Sequence, residues 1–512
     1  MLREVRVSNG VVRGIPSADP RITAFKGIPF AAPPVGELRW CAPQPAEDWE
    51  GVRDCARFAP IAMQYTPGQG NNIYDREWHV DPETPMSEDC LYLNVWTGAH
   101  SPEDKLPVLV WFFGGGLQCG YPSEMEFDGE RLARRGIIVV SVNYRVGVFG
   151  FFAHEGLRKK KKDAVANFGS LDQQAGLRWV QENIAAFGGD PDQVTIAGQS
   201  AGGGSVLSQM VCPENRGLFH RAVIMSAMIR SPYQDASTSG PVAPRTMEEA
   251  QKLSEAFLEY VGASSIDEAR KIPEKELQKQ YEAFSANRRI MLNAIDGTFQ
   301  PGDPIKLFAA GKAMNIPVIS GNTDVEFLNT LEADSMDGLW VEARKRYGRE
   351  ADTFLSCPGT AVRTQAGYAA VSGIECTAKA AFLSADQHQA SAPHYYYRFM
   401  PDMPGWDNPG CFHSSDLWFW FETLNRCWRP FAGRHFELAF QMADYFANFV
   451  RTGDPNGIGR GGVALPKWTP YTADQRMEMN FTGEGAKPSP EENNLAHFLV
   501  NDQLWRLSAE TV

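Results

Sequence analysis

Apolar residues fall along this chain in short continuous runs separated by amphipathic stretches. Residues 108–112 (VLVWF), 137–142 (IIVVSV), 194–197 (VTIA), 222–225 (AVIM) and 316–319 (IPVI) are such runs, rich in β-branched side chains. Unbroken apolar runs of this length predict strands buried on both faces. Between several of them the period becomes helical. Residues 171–186 carry Gln, Ala, Leu and Trp at helical spacing and stop at Gly188-Gly189-Asp190-Pro191. Residues 434–451 place Leu438, Met442, Tyr445, Phe446 and Phe449 on one face and stop at Thr452-Gly453. Strand alternating with helix predicts an α/β architecture around a large, mostly parallel central sheet flanked by helices. Residues 244–285 and 331–390 break the rhythm. Both read as helical, the first with capping boxes at Thr246…Glu249 and Ser265…Glu268. They are expected as helical insertions over one edge of the sheet, within a single domain spanning residues 1–512.

Composition narrows the classes without naming one. The 512 residues are 43% hydrophobic and 22% charged, ordinary globular usage. Length alone would allow two to four domains, but no repeat or long Pro/Gly/Ser linker divides the chain. A formal charge of −13 argues against nucleic acid as a partner. The basic run at 158–162 reads as a solvated face. No apolar run approaches a membrane span, and MLREVRVSNG has no apolar signal-peptide core. Nine cysteines without a C-x-x-C pair suit free thiols in a reducing compartment, so a cytoplasmic, bacterial protein is expected.

The chemistry enters at G-Q-S-A-G, residues 198–202, between the run at 194–197 and a helix-like segment. G-x-S-x-G in that context predicts a sharp turn exposing the Oγ of Ser200, with Ser205 and Ser208 inside the helix as structural residues. A second glycine run, Gly114-Gly115-Gly116, follows the strand at 108–112. Glycines let main-chain N–H groups approach a developing oxyanion closely, which nominates Gly115 and Gly116, with Ala201 as a third donor. Phe113 stands where the H-G-G-G form of this motif has histidine. Two acids, Asp324 and Glu326, follow the strand at 316–319, at the end where ligands collect in a parallel sheet. Locally, both remain open as catalytic groups.

The segments F-K-G-I-P-F-A-A-P-P (25–34), E-D-C-L-Y-L-N-V (88–95), S-V-N-Y-R-V-G-V-F-G-F (141–151), G-Q-S-A-G-G-G-S (198–205), G-L-F-H-R-A-V-I-M-S (217–226) and F-H-S-S-D-L (412–417) resemble, in order, those of the type B carboxylesterases. That family includes bacterial para-nitrobenzyl esterases, liver carboxylesterases, fungal lipases and cholinesterases. The resemblance implies an α/β-hydrolase fold and a Ser, Glu, His triad with no metal and no cofactor. It carries Ser200 and His413 into that triad and, by register from Gly321, places the acid at Glu326 rather than Asp324. It also implies a secondary hydrogen-bond network at Ser226 and Asp416. Secreted relatives pair the cysteine of E-D-C-L. Here Ala62 and Met63 stand where its partner is expected, so Cys90 is expected to be a free buried thiol.

The implied activity is hydrolysis of a small-molecule ester through an acyl-enzyme, by a monomer or homodimer without nucleic-acid or membrane partners. Trp418-Phe419-Trp420-Phe421, with Trp406 and Trp428, suggests a gorge for a bulky or aromatic ester, against core packing as the alternative. Leu117, Met225, Met228, Phe327 and Trp418 are the pocket candidates. Two other readings compete: a catalytically silent binding or adhesion module of the same fold, and an amide or carbamate hydrolase on the same triad. H-E-G-L-R at 154–158 lacks the second histidine of a zinc helix, and G-I-G-R-G-G at 457–462 follows no strand, so neither motif has its context.

Overall fold

The apolar runs pair side by side into one sheet. The computed structural model describes residues 1–70, 72–158, 163–234, 243–286, 290–388, 391–492 and 494–510; residues 159–162 of the basic run lie outside them. Among the described residues the sheet has eleven strands: β1 Ile15–Pro16, β2 Thr23–Pro29, β3 Tyr92–Thr97, β4 Leu106–Phe112, β5 Ile138–Val142, β6 Gly189–Gln199, β7 Arg221–Met225, β8 Val318–Thr323, β9 His394–Phe399, β10 Met477–Thr482 and β11 Gly485–Pro490. Their spatial order is β11-β10-β9-β8-β7-β6-β4-β5-β3-β2-β1. From β10 to β5 every pairing is parallel; β11 at one edge and β3, β2 and β1 at the other run antiparallel. Helices cover the central strands on both sides, which is why Val108 to Phe112 and Ile138 to Val142 are completely buried. Each such Val, Leu or Ile contributes roughly 1.5–3 kcal/mol by leaving water.

Helices α1 Phe168–Asn183 and α2 Ala201–Val211 flank the sheet, and the helix Gly433–Thr452 buries the face predicted from its periodicity. The interruptions at 244–285 and 331–390 contain α3 Met247–Tyr260, α4 Glu274–Ser285, α5 Met336–Tyr347 and α6 Gly373–Gln387. Thr246 closes a full capping box on α3, and Ser265 accepts from the Glu268 N–H. Residues 389–390 lie outside the described set. Two features differ from expectation. Each interruption includes strand as well as helix: Arg245–Thr246 pairs with Ala294–Ile295, and Leu328–Leu331 pairs with Tyr368–Ser372. They also leave the sheet from β7 and β8, in its interior rather than at an edge. Both therefore rise from the C-terminal end of the parallel strands.

The strand expected at 316–319 runs further, through Gly321, Asn322 and Thr323. Gly321 does not end it. It is paired with Tyr397 on β9, and a Cβ at 321 would overlap the Tyr397 ring. The glycine permits close strand packing there.

Candidate active site

Five chain segments converge at the C-terminal ends of β4, β6, β7, β8 and β9. Ser200 sits between β6 and α2 with φ 56° and ψ −125°, a conformation rare for any residue with a side chain. Such a position costs about 1–3 kcal/mol and needs surroundings that hold it. Here the Ser200 N–H donates to the Met225 carbonyl at 2.8 Å, and the Ser200 carbonyl accepts from the Gly204 N–H at 2.9 Å. The flanking glycines are sterically required. A Cβ on Gly202 would overlap the Phe112 carbonyl, and one on Gly198 would overlap the Gly202 backbone. A serine heading a helix ordinarily spends its hydroxyl on capping. Ser200 makes no such bond, and among the described residues its Oγ is unengaged.

The glycine run passes directly beside this serine. A Cβ on Gly114 would lie 3.2 Å from the Ser200 Cβ. Gly115 and Gly116 take φ 102° and 65°, and the turn is pinned by Gln118 and Cys119 N–H groups donating to the Gly115 carbonyl. No acceptor among the described residues takes the N–H of Gly115, Gly116 or Ala201. Three unengaged main-chain donors thus gather around the Ser200 turn. Phe113, in place of the motif's histidine, is buried and stacks on Tyr144 at 4.1 Å, while the Tyr144 hydroxyl donates to the Phe113 carbonyl. That substitution alters packing.

The two candidate acids separate cleanly. Glu326 is buried, and its Oε2 lies 2.5 Å from His413 Nδ1. Its Oε1 accepts from Ser226 Oγ and the Thr323 N–H, both at 2.7 Å. Asp324 turns away, its side chain 40% exposed and paired with Arg398 at 2.7 Å. The acid and histidine loops are joined by the main chain: the Val325 N–H donates to the Cys411 carbonyl, and Val325 bridges Phe412. That short parallel bridge sets Glu326 opposite His413.

The far side of the imidazole holds a residue the sequence reading missed. Gln199 Nε2 lies 3.3 Å from His413 Nε2. A primary amide nitrogen only donates, so Nε2 is the acceptor and Nδ1 carries the proton toward Glu326. The available signal was position alone, since Gln199 is the last residue of β6 before the serine. Asp416 occupies a place near this network without joining it by a hydrogen bond. It accepts from the Tyr397 hydroxyl at 2.7 Å and from Trp420 Nε1 at 3.3 Å, and its Oδ1 has no partner among the described residues. Burial, together with the nearby Glu326 charge, outweighs the Tyr397 bond and pushes the Asp416 carboxyl up to about 6.

The pocket candidates divide. Phe327 is half exposed and its ring lies 4.4 Å from that of His413. Leu117 borders a small cavity beside Ala201. Met225, Met228 and Trp418 require correction: each is wholly buried, as are Phe419, Trp420 and Phe421. A residue walling a solvent-filled pocket keeps some water-accessible surface, so these side chains pack the core. Cys90 is buried and free, and none of the nine cysteines forms a disulfide. Among the described residues no cluster of His, Cys, Asp and Glu suits a metal ion, and no helix is long and apolar enough to cross a membrane.

Comparison with known proteins agrees over nearly the whole chain. The profile described as "Carboxylesterase family" matches residues 2–355 and 360–498. The chain is 32% identical over 501 residues to cocaine esterase of Homo sapiens, covering 91% of this chain and 85% of that one. It is 31% identical over 498 residues to para-nitrobenzyl esterase of Bacillus subtilis (strain 168), covering 94% and 95%. Among solved structures, a PNB esterase superposes with a TM-score of 0.75 at 28% identity, covering 99% of this chain and all 100% of its own. A carboxylesterase of Geobacillus stearothermophilus gives 0.73 at 29% identity, covering 97% and 100%. With the parallel sheet, the strained serine turn and these matches in hand, the chain belongs to the carboxylesterase family, as an α/β-hydrolase that hydrolyses carboxylic esters.

Proposed function

We propose that the protein cleaves small-molecule esters through an acyl-enzyme on Ser200, with His413 as base and Glu326 as its orienting acid. The observation that carries this reading is the Glu326–His413 contact at 2.5 Å beside a serine whose hydroxyl is left unengaged by its own helix. Ser200 Oγ attacks the ester carbonyl and gives its proton to His413 Nε2, the nitrogen already serving as an acceptor. The tetrahedral oxyanion is held by the N–H groups of Gly115, Gly116 and Ala201. His413 returns the proton to the departing alcohol. Water, deprotonated by the same nitrogen, then releases the acid.

In the resting site Gln199 Nε2 occupies His413 Nε2, so substrate entry must shift that amide for Ser200 to donate. Catalytic hydrogen bonds commonly tighten only once substrate is bound. The alcohol leaves beside His413, where the exposed Phe327 ring lies. That supports a bulky or aromatic alcohol, now on Phe327 rather than on residues 418–421. Labelling with an active-site phosphonate tests the nucleophile: the mass shift should fall on the peptide holding Ser200, and Ser200→Ala should lose both label and turnover while remaining folded. Full esterase activity in Ser200→Ala would end this assignment.

A further inference from the structure

Beside Ala201, one of the three residues with an unengaged N–H, lies a cavity of about 50 Å³, bordered by Leu117, Ala201, Leu207 and Ile229, with Arg230 and Asp303 among its lining residues. No residue of the Glu326 or His413 loops borders it. His413 hands its proton to the leaving alcohol, so the alcohol must lie on the His413 side. A cavity that touches Ala201 and Leu117 but no residue of the His413 loop is the candidate for the acyl group. Its size admits a short chain.

The polar pair is unequally satisfied. Asp303 is fully committed: Oδ1 accepts from the N–H groups of Ile305 and Lys306, heading the helix Pro304–Ala309, and Oδ2 accepts from Arg230 Nη2. Arg230 is not. Among the described residues its Nε is buried without a partner and its Nη1 donates to nothing. A buried N–H lacking an acceptor is unfavourable, and an oxygen on the bound acyl chain would supply one. The pair is electrically balanced, since the Arg230 charge is already met by Asp303. A carboxylate on the substrate would bring an uncompensated charge beside a pair that is already neutral, whereas a ketone or ether oxygen would not.

We propose that Arg230 makes the acyl subsite selective for esters of short acids carrying a neutral hydrogen-bond-accepting oxygen along the chain. This rests on the reading of Ser200, Gly115, Gly116 and Ala201 as the acyl-transfer centre. Arg230 acts here as a specificity determinant and takes no part in proton transfer.

The test uses matched nitrophenyl esters: 4-oxopentanoate against 4-methylpentanoate, and 5-oxohexanoate against 5-methylhexanoate. Each rate is divided by that of hydroxide hydrolysis to remove intrinsic reactivity. Wild-type kcat/KM should favour the oxo member of at least one pair by about tenfold or more, because a site built to bond an oxygen discriminates against the analogue lacking it. Arg230→Met should bring that ratio close to one. The monosuccinate nitrophenyl ester should be poorer than 4-oxopentanoate. A flat ratio for both pairs in the wild type, a ratio that survives Arg230→Met, or a preference for the monosuccinate would each overturn the proposal. The wild-type ratio needs no variant, so misfolding of Arg230→Met leaves the test intact. Failure of the acyl-transfer reading looks different: turnover would then persist in Ser200→Ala.

Discussion

Ser226 Oγ donates to Glu326 Oε1 at 2.7 Å, on the side of the carboxylate opposite His413. The Thr323 N–H shares that oxygen, leaving Oε2 for the imidazole. Ser226 itself sits at φ 51°, held by its own N–H to the Gly321 carbonyl. Under the proposed mechanism, a hydroxyl directed in this way at the buried carboxylate makes Ser226 a positioning residue. Ser226→Ala should lower kcat about tenfold with little change in KM, a small part of the barrier lowering that such a site supplies. Steady-state kinetics with a nitrophenyl ester decide it; a raised KM at unchanged kcat would assign Ser226 to substrate binding instead.

The two acids at the end of β8 make opposite predictions. Glu326→Gln leaves a neutral amide where the proposed mechanism forms an imidazolium, and kcat should fall by about 10³–10⁴-fold, as when a triad acid is neutralised elsewhere. Asp324→Asn removes only one of the acids around Arg398, a carboxylate 40% exposed to solvent. Its cost should stay below about 1 kcal/mol in stability, with kcat within a few fold of wild type. If Asp324→Asn were the more damaging of the two, the roles would be reversed.

Asp416 links this neighbourhood to pH. Burial raises its carboxyl from 3.8 to about 6, so the folded chain holds a proton there that the unfolded chain has released. Between roughly pH 4 and 6 the folded state binds more protons, and stability from this group falls as pH rises. The full effect is on the order of 3 kcal/mol. Asp416→Asn keeps an acceptor for Tyr397 and removes the titration. Urea unfolding at stepped pH should therefore show the variant gaining on wild type from pH 4 to pH 7. Parallel curves for the two proteins would show that Asp416 does not titrate in this window.

Several parts of this arrangement were legible in the sequence because a local steric demand left a local mark. Gly198 and Gly202 announce the serine turn because Phe112 and the neighbouring backbone leave no room for a Cβ. The central strands read correctly because helices cover both their faces, making β4 and β5 continuous apolar runs. Strand β9 was missed, since Tyr395-Tyr396-Tyr397 shows neither alternation nor a β-branched run. The aromatic residues 418–421 were legible as a cluster but not as core, because burial depends on Tyr397, Phe446 and Phe481, which pack on them from distant segments. Glu326 and Asp324 could not be told apart from their own neighbours. The main-chain bridge from Val325 to Phe412 separates them, and that pairing spans 87 positions between Glu326 and His413.

The acid loop is also anchored from below by a buried charge cluster that no local pattern signals. Lys379 on α6, 1% exposed in its side chain, is surrounded by Glu375 at 2.7 Å, Glu478 at 2.6 Å and Glu491 at 3.2 Å. Burial works against its charge, but the three carboxylates outweigh it and hold the ammonium well above the usual lysine range. Arg398 extends the cluster to Asp324, two residues before Glu326. Removing the one cation common to three acids leaves buried charge uncompensated, so Lys379→Met should cost about 3–5 kcal/mol. The loss should be smallest at low pH. Without Lys379 the folded-state carboxylates resist ionising, their folded values rise above the unfolded ones, and stability drains away as pH increases. Adding Glu478→Gln to Lys379→Met should then restore part of the stability at pH 8 and little at pH 4.5. Unfolding free energies of the single and double variants at those two pH values test the argument, and equal losses at both would mean that packing around Lys379, and not its charge, holds this part of the fold.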